Sequence, residues 1–307
     1  MAEDVFEIVG TVVGGAFNVE AVVAEQSFED FCTRSDLPEF AFIAVHGVWS
    51  WVSDANRRRI VDFVQRRLMP GGVLHLRYTL AAGWSSLMPL RQLLVAHESQ
   101  TAPPGRDRAA NAREAVAFVQ RVFGLDSVLL HHVPSLRARA ADLQGKPPGY
   151  LLHEYMNRDW RPMSFSEVHG QLQEARLDFA CSTDLHARLL DIQFSPEQQA
   201  LLAQIESPLL RTEVADTFSG QRLRRDLWVR GQRRLTRMEQ IDQLKHMHVV
   251  LTLDPADVPR TIKGACGEAT MVPRSVDALL EELVRANGAV ALDTLLHRLA
   301  ARGITAD

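Results

Sequence analysis

The chain has 307 residues, 46% hydrophobic and 23% charged, which marks a folded protein of roughly two domains and excludes disordered, collagen-like and disulfide-stapled classes. Its 34 basic and 38 acidic residues leave a formal charge of -4, so no overall field draws it to nucleic acid or an anionic membrane. Three dispersed cysteines, an acidic start at Glu3, Asp4 and Glu7, and no apolar run of ~18 residues point to a cytoplasmic chain without a signal peptide or membrane span.

Phe40 to Val48 reads FAFIAVHGV and Gly72 to Tyr78 reads GVLHLRY after a Pro-Gly-Gly turn; both have the apolar runs of buried strands. Between them Ser53 and Asp54 offer N-caps. Ile60, Val61, Phe63, Val64 and Leu68 recur at helical spacing, with Arg57, Arg58, Arg59, Arg66 and Arg67 on the wet face. A helical crossover between two apolar strands implies a parallel sheet, so the front of the chain is α/β.

From Leu87 to Leu143 the pattern is helical: MPLRQLLVAHE, AREAVAFVQRVFG and VPSLRARAADLQG, divided by Pro- and Gly-bearing turns. Alternation resumes with helix FSEVHGQLQEARL, strand DFACSTDL, helix FSPEQQALLAQI and strand RDLWVRG. After Arg234 a separate unit begins. Met238 to Met247 is expected as a helix, His248 to Leu253 and Thr261 to Met271 as strands, and Ser275 to Ala286 and Val290 to Arg302 as helices, an order suited to a winged-helix-like module.

The segments LPEFAFIAVHGVWSWVSDANRRRIVDFVQRRLMPGGVLHLRY, YLLHEYMNRDWRPMSFSEV and RRDLWVRG together resemble bacterial S-adenosylmethionine-dependent class I methyltransferases that carry a methyltransferase regulatory domain. The chain is similar in layout to the rickettsial-type protein-lysine methyltransferases. The resemblance implies a Rossmann-like sheet that takes S-adenosylmethionine across the carboxyl ends of its strands, with Phe40 to Val45 as its fourth strand and Gly72 to Tyr78 as its fifth. His46 and Gly47 would border the cofactor, Ser27 and Phe28 its adenine, and Trp49, Trp51 and Tyr155 the methyl acceptor. The aromatic rings, Trp84 and Trp160 included, would then shape a dry channel whose π-faces tolerate a sulfonium or ammonium charge; packing of a hydrophobic core is the competing reading of each. The implied division is a partial methyltransferase core over 1–86, a helical insertion over 87–148, the rest of the regulatory region over 149–234, and the winged-helix-like module over 235–307.

The chain departs from that pattern at its start. Three strands, two helices and their connections need about 60 residues ahead of a fourth strand, whereas 39 precede Phe40. Gly10 to Gly15 reads GTVVGG rather than a GxGxG loop, and no acidic residue closes a second strand. The sheet is therefore expected to lack part of its N-terminal half, leaving apolar surface that favours self-association. Thr79 to Ala82 also replace the Asn- and Pro-containing turn that the resemblance implies, and the C-terminus stops soon after Gly303.

Other constellations carry less. His153 and Glu154 begin an HExxH pattern, but Asn157 stands where the second histidine is required, and no histidine pair has an acidic or cysteine partner, so no metal is expected. Gln221 to Arg237 holds seven arginines and could touch phosphates; a strand with a wet arginine face is the favoured reading, against nucleic acid as a partner. Ser50 and Ser85 lack a nucleophile-elbow setting. The expected function is methyl transfer to an acceptor such as a protein lysine. The alternative is a non-catalytic regulatory or protein-interaction protein.

Overall fold

The computed structural model describes residues 6–7, 25–101 and 105–304; the glycine-bearing stretch 10–15 lies outside them. β1 (Phe6–Glu7) and β2 (Glu25–Gln26) are a short antiparallel pair. α1 (Phe28–Thr33) is capped by the Ser27 hydroxyl, which accepts from the Asp30 amide. β3 (Phe40–Val45), α2 (Asp54–Arg67) and β4 (Leu68–Thr79) form the expected strand-helix-strand unit, and the two strands are parallel.

A helical layer follows: α3 (Ala81–Trp84), α4 (Met88–Thr101), α5 (Arg108–Gly124), α6 (Val128–His132), α7 (Ser135–Asp142) and α8 (Pro148–Glu154). α9 (Phe165–Gln173) opens on a capping box in which Ser164 and Glu167 satisfy each other's backbone amides. β5 (Leu177–Ser182), α10 (Leu190–Gln193) and α11 (Pro196–Gln204) lead to α12 (Pro208–Ser219) and β6 (Leu223–Arg230). Sequence periodicity did not separate α12. Its signals are terminal: Ser207 as cap, Pro208 in the first turn, and Gly220 at φ 57° ending it.

The sheet has the order β3-β4-β6-β5, with β6 antiparallel to both neighbours. Pairing sets which side chains share a face. Leu74, Leu76 and Tyr78 of β4 lie opposite Trp228, Asp226 and Arg224 of β6 and face one continuous core. That core is closed by Ile60, Val61 and Val64 from α2 and by Phe165, Val168 and Leu172 from α9. A second core fills the helical layer, from Leu90 and Leu94 through Val116 and Val119 to Leu151 and Trp160.

The described residues fall into two units. The first holds the sheet and the helical layer. The second comprises 184–204 and 233–307, with α13 (Arg237–Lys245), β7 (His248–Val249), the hairpin β8 (Thr261–Lys263) and β9 (Glu268–Thr270), α14 (Pro273–Ala286), β10 (Val290–Ala291) and α15 (Leu292–Ala301). Thus the stretch carrying α10 and α11 groups with the C-terminal elements and not with the sheet. The Cys266 amide donates to the Ile192 carbonyl at 2.8 Å, and a Cβ at Gly264 would lie 2.2 Å from that same oxygen. The unit's own small core is built from Ala278, Leu283, Val290, Leu295 and Leu299.

Candidate functional site

The carboxyl ends of β3 and β4 carry the HGVWSWV loop. Gly47 turns it at φ 70°, a conformation that glycine adopts without strain. Arg57 holds it from below, donating to the carbonyls of Trp49 at 3.0 Å and Val52 at 2.6 Å while paired with Asp54 at 2.5 Å. The expectation of a wet arginine face therefore fails at Arg57, which is 4% exposed. The first turn of α2 brings its guanidinium beneath carbonyls that no helix or strand satisfies, and those bonds offset its burial.

The second distinctive block meets this loop directly. Asn157 donates to the Trp51 carbonyl at 3.3 Å, the Arg161 amide donates to the Ser50 carbonyl at 2.8 Å, and the His153 ring stacks on Trp51 at 5.6 Å. Met163 continues the join, its amide donating to Thr79 and its carbonyl accepting from Ala81, each at 3.0 Å. HGVWSWV and HEYMNRDW, about a hundred residues apart, thus share one corner of the fold. Ser50 is spent within it, since its hydroxyl accepts from the Thr79 amide at 2.8 Å.

The proposed site residues divide into three groups. Trp51 and Tyr155 sit in the helical core with Trp84 and Trp160; Tyr155 meets Trp84 edge-on at 5.9 Å, and burial pushes its phenol above the usual range. Trp49 is fully buried in the other core, beneath the sheet. These three are packed side chains joined through backbone bonds and share no open cavity among the described residues. His46 stands exposed beyond β3, with Gly47 beside it. Ser27 and Phe28 begin α1, Phe28 packing partly buried against the sheet core.

Two groups that sequence reasoning missed lie on β4 and β6. At the strand end Arg77 donates to His46 at 2.8 Å, and the His46 and His75 rings are 6.1 Å apart. Burial, with the positive groups nearby, lowers the His75 pKa. On the covered face Tyr78 donates to Asp226 at 3.0 Å, and Arg224 bridges Asp226 at 2.8 Å and Asp216 of α12 at 2.6 Å. Arg224 is 7% exposed, so the wet-face expectation fails here too: strand alternation puts it on the side of Trp228, leaving Arg225 exposed. The period-2 reading of LRRDLWVR carries that signal. Among the described residues no group of three metal-ligating side chains occurs, and no helix is long and apolar enough to cross a membrane.

This geometry, two parallel strands whose carboxyl ends carry a loop locked to a helical layer, is the setting in which open α/β sheets take ligands. Residues 147–230 match the family described as a predicted methyltransferase regulatory domain. The fold is shared with PKMT2 from Rickettsia typhi, at TM-score 0.61 and 17% identity over 92% of this chain and 55% of that one. It is shared equally with the same protein in complex with AdoHcy, at 0.61 and 18% over 92% and 56%. The chain therefore shares the PKMT2 fold and, over residues 147–230, matches the family of the predicted methyltransferase regulatory domain.

Its particular relatives include an uncharacterized protein of Synechocystis sp., 29% identical over 92% of this chain and 54% of that protein. Another, from Rickettsia prowazekii, is 22% identical over 78% of this chain and 43% of that protein. The chain spans about half the length of the curated relatives it matches.

Proposed function

We propose that this chain is the acceptor-side and regulatory portion of an S-adenosylmethionine-dependent methyltransferase whose acceptor is a protein lysine. The observation that carries the reading is the corner where the His46–Trp51 loop, held by Arg57, is bonded to Asn157 and Arg161 at the carboxyl ends of β3 and β4. Methyl transfer needs an acceptor placed in line and kept dry more than it needs acid-base groups. A rigid loop roofed by a helical layer suits that task. The likeness to a protein solved with AdoHcy supports the cofactor class.

The described residues do not make a complete site for that cofactor. One wall is present at His46 and Gly47. Among the described residues β3 pairs with β4 alone. On this reading the described residues supply one wall of the S-adenosylmethionine site.

A chimera tests the reading. Residues 25–307 of this chain replace the matched segment of the Synechocystis relative in one continuous polypeptide, and AdoHcy binding is measured by calorimetry beside the intact relative. The reading expects saturable binding by both and methyl transfer to lysine-bearing protein by the chimera. A folded chimera that binds no AdoHcy while the intact relative does would overturn it.

A further inference from the structure

The second unit holds a charged cleft that the methyl-transfer reading leaves unused. It is lined from the end of α14, from β10 and from the end of α15, and has a volume of about 790 Å³. Within it Glu282 is only 3% exposed. Three guanidiniums gather on this one carboxylate: Arg285 donates to Oε1 at 2.5 Å, Arg302 donates to it at 3.5 Å, and Arg298 stands 3.8 Å from Oε2.

A buried carboxylate needs a charged partner with well-placed donors, and one arginine can supply them. Three are more than Glu282 requires. Arg302 is used elsewhere, donating to the Ala278 carbonyl at 3.3 Å and to Glu281 at 2.6 Å. Arg298 makes no hydrogen bond among the described residues and is 45% exposed, and Arg285 spends one nitrogen on Glu282 and is 66% exposed. Three guanidiniums against Glu281 and Glu282 leave the cleft with a surplus positive charge. Unspent N–H donors from two helices, gathered on one carboxylate, suit an anion with several acceptor oxygens.

A carboxylate places two oxygens in one plane and is satisfied by a single guanidinium fork. A phosphoryl group carries three terminal oxygens in a tetrahedral array and accepts from both arginines together. The rest of the lining is apolar and small-sided: Ala286, Ala289, Val290 and Ala301. The volume lies in the range of organic ligands, far above what a bare phosphate fills.

We infer that this cleft binds a phosphomonoester with a flat apolar body. Arg285 and Arg298 take the phosphoryl oxygens, Glu282 anchors both guanidiniums, and the alanine side chains carry the body. The inference is independent of the methyl-transfer reading.

Calorimetric titration of the full chain with phenyl phosphate, beside inorganic phosphate and phenylacetate, is the test. The expected result is saturable one-site binding of phenyl phosphate, weaker binding of inorganic phosphate, and none of phenylacetate at the same concentrations. Arg298→Ala should weaken phenyl phosphate binding by about tenfold or more, the scale of one charge-assisted bond. Ala289→Leu should weaken phenyl phosphate and spare inorganic phosphate, because it fills the apolar lining and leaves the arginines in place. Affinity should fall as pH drops through about 6, where a phosphomonoester takes up its second proton. Both substituted side chains are exposed, so both variants should melt like the parent, and Lys263→Ala, exposed on β8, should bind as the parent does. Adenosine monophosphate and phosphotyrosine carry the same group on a nucleoside and on an amino-acid side chain, and the tighter of the two gives its source. No saturable binding of phenyl phosphate overturns the inference, as does binding that Arg298→Ala leaves unchanged or that phenylacetate equals.

Discussion

The two flanks of one four-stranded sheet are built by opposite rules. On the covered flank β4 and β6 face a core in which Leu74, Leu76, Tyr78 and Trp228 are completely buried, and the charges admitted there are tied to one another. On the open flank β3 presents Phe42 and Ala44 outward. Apolar sequence is therefore no guide to burial here. What differs is the face: Val45 of β3 joins the covered core with Leu74, Leu76 and Trp228, whereas Phe42 and Ala44 share the other face with Val73 and His75 of β4.

The largest difference should come from the buried charges. Asp226→Ala removes a fully buried carboxylate, leaving the Tyr78 hydroxyl without that acceptor and Arg224 with Asp216 alone, and breaking such a buried pair costs about 3–5 kcal/mol. Denaturant unfolding would read this as a lowered midpoint. Next is Gly83→Ala, because a Cβ there would lie 2.3 Å from the Gln221 carbonyl oxygen. The backbone that brings α3 against the start of β6 must shift, at about 1–3 kcal/mol.

A pH effect separates the flanks further. Burial pushes the Asp216 carboxyl from its ordinary 3.8 up to about 6, opposed by Arg224, which pulls it down. The folded chain then holds that proton more tightly than the unfolded one. Its contribution to stability is full below pH about 4 and is lost as pH rises through about 6. Asp216→Asn should flatten the stability profile across that window, measured as unfolding midpoints at successive pH values. Smallest is Phe42→Ala, expected within about 0.5 kcal/mol of the parent because the side chain lies largely in water; a loss of about 2 kcal/mol or more would show that the open flank is packed after all.

Much of the covered flank was legible in the sequence. The runs FAFIAV and GVLHLRY with the helix between them led to the parallel pair, and Ser53 and Ser164 mark helix starts by capping chemistry. The meeting of HGVWSWV with HEYMNRDW followed only from resemblance, because Asn157 and Arg161 reach the loop through backbone bonds that no periodicity encodes. Arg57 and Arg224 were misread for a related reason. Charge suggests solvent, and only three-dimensional placement reveals a ring of carbonyls under Arg57 or two carboxylates around Arg224. Counting residues ahead of β3 led to the expectation of a shortened sheet. That Phe42 faces outward from β3 is visible only from the pairing and burial.

The functional reading is tested most directly by calorimetric titration of AdoHcy into the purified chain and, in parallel, into the chimera with the Synechocystis relative. The predicted result is no saturable heat from the chain alone and saturable one-site binding by the chimera. No saturable binding by a folded chimera would contradict it.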